Sequence, residues 1–124
     1  MRSVNRSTLM GHIVSKPELS QTKSGKPVTT LSLATNNEWL DQEGTLQKSV
    51  DFHRVVLWDK LAESCVKHLD KGTPVYLEGR LTTRRYMDKN EMAHYVTEVI
   101  AQTIHILRYQ SDKKTVESEE LAVL

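Results

Sequence analysis

The chain has 124 residues, 38% hydrophobic and 27% charged, which suits a single soluble domain with a short tail. Its one cysteine, Cys65, excludes an intrachain disulfide and a four-cysteine zinc site, and fits a reducing compartment. The net charge of +1 divides unevenly: residues 1–111 hold 15 Lys and Arg against 12 Asp and Glu, and residues 112–124 hold two against four. A mildly basic body permits a polyanion partner without demanding one.

The N-terminal MRSVNRSTLMGHIVS lacks the apolar core and cleavage site of a secretory signal. No later run approaches the roughly 20 apolar residues of a membrane span. Residues 4–15 read as a first strand interrupted by Gly11, where a bulge or tight bend suits a missing side chain. In VTTLSLAT (28–35), Leu31 and Leu33 alternate with polar or small neighbours, the period of a half-buried strand. Residues 50–58 alternate likewise. In DKLAESCVKH (59–68), Leu61 and Cys65 fall at helical spacing with Leu69 beyond, Asp59 is placed as an N-cap and Gly72 as a stop. PVYLEGRLT (74–82) puts Val75, Leu77 and Leu81 on one face, and YVTEVIAQTIHIL (95–107) is a long β-branched strand with a bend. The order of three strands, a short helix and two strands is that of an OB-fold, an all-β five-stranded Greek-key barrel. That domain is expected over residues 1–110, with 111–124 a short disordered tail.

Three long polar connections remain, at 15–27, 36–49 and 84–94, and two of them carry an aromatic, Trp39 and Tyr86. The stretch VDFHRVVLW (50–58) concentrates the chain's single Phe and one of its two Trp. Period two sends Phe52, Arg54, Val56 and Trp58 to one face and His53, Val55 and Leu57 to the other. Alternation alone does not say which face is buried. Repetition elsewhere favours an outward aromatic face: Trp39 and Tyr86 also lie in polar surroundings, with Arg84 and Arg85 beside Tyr86. Aromatics interleaved with cations suit single-stranded nucleic acid, because each base offers a π-face worth roughly 1–3 kcal/mol in stacking.

The chain resembles the bacterial and mitochondrial single-stranded DNA-binding proteins of the homotetrameric OB-fold type. GHIVSKPELS, SGKPVTTLSLATNNEW, DFHRVVLWDKLAE, LDKGTPVYLEGRLTTRRYMDKN and YVTEVIAQTIHIL carry the resemblance in order. It implies stacking of bases on Trp39, Phe52, Trp58 and Tyr86, and phosphate contacts from Arg54, Lys60, Lys71, Arg84, Arg80 and Arg85. The commonest family pattern has Trp at the positions of Phe52 and Tyr86 and Phe at that of Trp58. All remain aromatic here. The resemblance further implies a homotetramer (a dimer is the alternative) with His53 near a subunit contact, whereas the residues alone allow His53 to be an ordinary core histidine. Protection of exposed strands in replication, recombination and repair follows, without catalysis, cofactor or metal. A bacterial cytoplasmic location is expected, with the mitochondrial matrix an alternative. The tail ESEELAVL lacks the acidic Pro-Phe tip with which many members recruit replication and repair enzymes.

Three rival readings stay open at this level. Asp51 with His53, or His68 with Asp70, suggests an enzyme, but neither pair has a visible third partner. A partner-bridging OB protein of replication restart would not need four aromatics. An RNA-binding OB module differs only in contacts to the 2′-hydroxyl.

Overall fold

A computed structural model describes residues 1–109 and 118–122. Among them are seven strands and one helix: β1 (Ser7–Ile13), β2 (Ser20–Gln21), β3 (Pro27–Leu40), β4 (Leu46–Trp58), α1 (Asp59–His68), β5 (Pro74–Met87), β6 (Ala93–Tyr109) and β7 (Ser118–Ala122). The five long strands follow the order β1-β5-β6-β4-β3, and β1 closes the ring by pairing with β3. The result is the closed five-stranded barrel expected of an OB-fold, with β2 added beside β3 and β7 beside β6. Of the expected tail, residues 111–117 and 123–124 lie outside the described residues.

Closure depends on a glycine, though not through a bulge. β1 pairs with β5 from Ser7↔Gly79 to His12↔Pro74 without a break, then hands over to β3 at His12↔Ala34. A Cβ on Gly11 would stand 2.2 Å from the Ala34 carbonyl oxygen, so only glycine lets the two backbones meet. The bulge lies elsewhere. Glu78 pairs with Thr103 but Gly79 with Ala101, leaving Gln102 as an extra residue on β6. Core-facing residues of β6 therefore change parity, from Ile104 and Ile106 on one side of the bulge to Val99 and Ala101 on the other.

The core follows the alternation read in the sequence. Leu31, Leu33, Val55, Leu57, Val75 and Leu77 are buried together, and α1 adds Ala62 and Cys65, followed by Leu69. Full burial of each such leucine stabilises the fold by roughly 1.5–3 kcal/mol. Leu81 keeps the parity of Leu77 but is 46% exposed: its β6 partner Val99 is in the core, but the β1 ladder on its other side ends at Gly79. Asn5 brackets that residue instead, donating to its carbonyl and accepting from its N–H at 2.8 Å each. The helix also begins differently from the sequence expectation. Trp58 is the N-cap and makes no side-chain cap bond, while Asp59 takes φ 59°, a left-handed conformation that Asp tolerates better than most residues. Gly72 lies beyond the helix end and donates its N–H to Ile13.

Two of the three long polar connections are strands. β3 and β4 remain paired out to Leu40↔Leu46, and β5 and β6 out to Met87↔Ala93. Each pair thus projects from the barrel as an arm with solvent on both faces, which is why neither shows hydrophobic alternation. The third connection is anchored by the buried Thr29, whose hydroxyl donates to the Glu18 carbonyl at 2.7 Å.

Candidate nucleic-acid interface

The outer face of β4 is where cation and aromatic meet. Val55 and Leu57 are fully buried, which fixes the even-numbered residues as outward. Phe52 is 66% exposed, so the arrangement with Phe52 in the core is excluded. Val56 shares its parity but is buried, flanked by Thr30 on β3 and Ile100 on β6. Trp58 is half-buried, and Lys26 Nζ lies 5.2 Å from its ring centroid while reaching Asp59 at 3.7 Å. An open trough of about 360 Å³ runs beside this face, lined by Ser15, Thr30, Leu31, Ser32, Phe52 and Arg54. A second trough of about 460 Å³ shares Ser15 and Thr30 with it and continues past Lys16.

Tyr86 lies on the arm of β5 and β6, 45% exposed. Its ring stacks on His94, directly opposite across the ladder, at 5.2 Å and 21°. Arg84 lies 5.7 Å from the Tyr86 ring centroid. His94 Nε2 donates to Asp88 Oδ2 at 2.6 Å. That bond leads in holding the Asp88 carboxyl below its ordinary range; the Met92 and Asn90 N–H groups add to it, and burial opposes it.

The remaining residues singled out in the sequence fall in different places. Arg80 and Arg84 share the outer parity of β5 with Tyr86, whereas Arg85 projects from the opposite pleat face, across from Tyr95. Trp39 is 46% exposed and pairs with Gln47; the unbroken register of β3 and β4 puts it on the opposite pleat face from Phe52. Lys60 is exposed in the first turn of α1, just past Trp58, and Lys71 is exposed in the turn before β5. His53 is half-buried and shares a 2.9 Å hydrogen bond with the Thr35 hydroxyl.

One residue escaped the sequence reading. Glu98 is only 4% exposed, yet its carboxylate accepts hydrogen bonds from Arg54 Nε and, at 3.0 Å, from Arg84 Nε. Burial pushes its carboxyl up, but bonding and charge from Arg84 and Arg54 outweigh that, and the net direction is down. An acidic residue inside a β-branched strand was the available signal. The bulge at Gln102 hid its orientation.

The residues of the rival enzyme reading do not converge. His68 Nδ1 donates to the Ser64 carbonyl at 2.8 Å, closing the last turn of α1. Cys65 is fully buried, and burial pushes its thiol up to about 12. Among the described residues no group of three His, Cys, Asp or Glu is placed to hold a metal. No helix there is long and apolar enough to cross a membrane.

A sequence profile of the single-strand binding protein family matches residues 4–107. A curated relative, single-stranded DNA-binding protein 1 of Chlorobaculum tepidum, is 40% identical over 107 residues. The match covers 86% of this chain but 66% of that protein, so the chain spans just under two thirds of its length. Single-stranded DNA-binding protein 1 of Streptococcus pyogenes is 39% identical over 109 residues, covering 88% of this chain and 81% of the relative. Among solved structures, a Plasmodium falciparum SSB in complex with ssDNA superposes with a TM-score of 0.79 at 32% identity, covering 87% of this chain and 98% of that one.

Proposed function

The chain belongs to the single-strand binding protein family, and from that premise we propose that it binds and protects single-stranded DNA without regard to sequence. The carrying observation is the exposed Phe52 ring beside Arg54 on the outer wall of the barrel, flanked by an open trough. Bases stack on Phe52, Trp58, Tyr86 and Trp39, while Arg54, Arg84, Arg80, Arg85, Lys60 and Lys71 meet phosphates and release counterions. A duplex keeps its base faces inside the stack and cannot use those rings, which gives the preference for single strands. Every base has such a face, which gives the indifference to sequence. The chemistry is binding alone, serving replication, recombination and repair, and the bacterial relatives support a cytoplasmic location.

Quenching of tryptophan fluorescence by oligo-dT, with a matched duplex as control, tests this reading. Trp39 and Trp58 are the only tryptophans in the chain, and Trp58 shares the face of Phe52, so it reports on that face. Quenching by the single strand alone is expected. Equal quenching by the duplex, or no binding by an independent probe, overturns the proposal and leaves the partner-bridging OB protein in its place. Titration with oligo-rU separates DNA from RNA preference. Assembly as a homotetramer, with His53 at a subunit contact, belongs to the same reading and is checked by sedimentation equilibrium.

A further inference from the structure

Glu98 stands where the two arms leave the barrel, on β6, the strand between β4 and β5. The bulge at Gln102 turns it outward, and its position beside the Val55↔Val99 pair brings Arg54 to it from one side. Arg84, two residues beyond the opposite residue Thr82, reaches it from the other. The side chains of Arg54 and Arg84 are 47% and 49% exposed, whereas that of Glu98 is 5% exposed. The carboxylate is therefore the buried anchor, and the guanidinium heads lie at the surface. A buried ion cluster is weak evidence for stability, since apolar packing of similar volume does as well. Its orienting effect is stronger: a carboxylate bonded to Nε fixes the plane of each guanidinium fork. Phe52 is two residues from Arg54 along β4, and Arg84 lies against Tyr86.

We propose that Glu98 is the positioning residue of the single-strand face, presetting Arg54 beside Phe52 and Arg84 beside Tyr86 so that one strand meets both guanidinium groups in fixed orientation. This inference rests on the single-stranded DNA reading above. Preset donors lose less freedom on binding, so the gain appears as affinity although Glu98 itself repels phosphate.

The test measures oligo-dT affinity against salt for the full chain and for Glu98→Gln. Removing a negative charge near a polyanion raises affinity if charge alone acts. Positioning predicts the opposite: a loss of about three- to tenfold. The slope of log affinity against log salt should also flatten, by up to about 1.4 if both phosphate contacts are lost. In an Arg54→Ala/Arg84→Ala background, Glu98→Gln should change affinity no further. Higher affinity for Glu98→Gln, or unchanged affinity with a lower Tm, overturns the positioning role. Should Glu98→Gln fail to fold, Arg54→Lys and Arg84→Lys serve instead, because lysine keeps the charge but has no Nε edge to fix. Full affinity in both overturns the proposal. If the Arg54→Ala/Arg84→Ala protein binds as the parent does, the phosphate reading of these arginines fails first. If it binds weakly while Glu98→Gln does not, only the positioning role fails.

Discussion

The arm of β3 and β4 and the arm of β5 and β6 close on the same turn, built from different residues. In the first, Asp41 Oδ1 accepts from the Glu43 and Thr45 N–H groups, and Oδ2 accepts from the Gln47 side chain. In the second, Asp88 Oδ1 accepts from the Asn90 and Met92 N–H groups, and Oδ2 accepts from His94. The backbone bonds match too: Gly44 donates to the Asp41 carbonyl and Glu91 to that of Asp88. Both donors lie in the left-handed region, Gly44 at φ 79° and Glu91 at φ 61°. A glycine occupies that position comfortably and a glutamate does not. The aspartate clasp, common to both arms, thus sets the turn, and glycine only eases it. The arms differ again in their aromatics: Phe52 at the root of the first is open, while Tyr86 on the second already has His94 on its ring.

The largest test of this difference is truncation of the rings. Phe52→Ala is expected to weaken oligo-dT binding by roughly 2–3 kcal/mol and Tyr86→Ala by roughly 1–2, with the fold intact by circular dichroism. Equal losses would mean that the stacked histidine does not occupy useful ring surface. Trp39→Ala, on the other pleat face, should cost about 1 kcal/mol or less in the same titration. The two turns can then be exchanged. Gly44→Ala has open space for its methyl group but the wrong φ, and should destabilise by about 1 kcal/mol in urea unfolding. Glu91→Gly should stabilise by about 0.5 kcal/mol, the relief of strain exceeding the entropic cost of glycine. A destabilising Glu91→Gly would show that the glutamate side chain holds its turn. Acid should loosen both clasps. Backbone bonding from Thr45 leads in holding the Asp41 carboxyl low, and the His94 bond leads at Asp88. Their folded values lie below the unfolded ones, so the stabilisation is present above the ordinary carboxylate range and is lost as pH falls through the lowered values. Measured against the slower intrinsic exchange in acid, the protection of the Thr45 and Met92 amides should therefore fall on acidification before that of barrel amides such as Leu57.

The barrel was legible from the sequence because its walls have one wet and one dry side. Leu31, Leu33, Val55 and Leu57 announce their strands, and the period change at Leu61 and Cys65 announces the helix. The arms were read as loops because a ribbon with solvent on both faces has no reason to alternate. The face of Phe52 and Arg54 followed once Val55 and Leu57 were assigned to the core. Glu98 was invisible for a different cause: counting in twos from Ile104 puts it inward, and only the extra Gln102 turns it out. The opposite faces of Arg84 and Arg85 also follow from strand parity, but only if the segment is first recognised as a strand. Asp59 has the composition of a cap yet takes the turn itself, a choice of backbone geometry that composition does not encode.

The chain's single thiol sits at the centre of the helix-barrel packing, fully buried and raised to about 12. The thiolate is the form that reacts with maleimides, so the folded protein should be nearly silent towards such dyes at neutral pH. A new thiol at each arm tip, through Gln42→Cys and Lys89→Cys, can then be labelled without first deleting the native one. Both tips are exposed. Energy transfer between them would report in real time whether the separation of the two arms changes when oligo-dT is added.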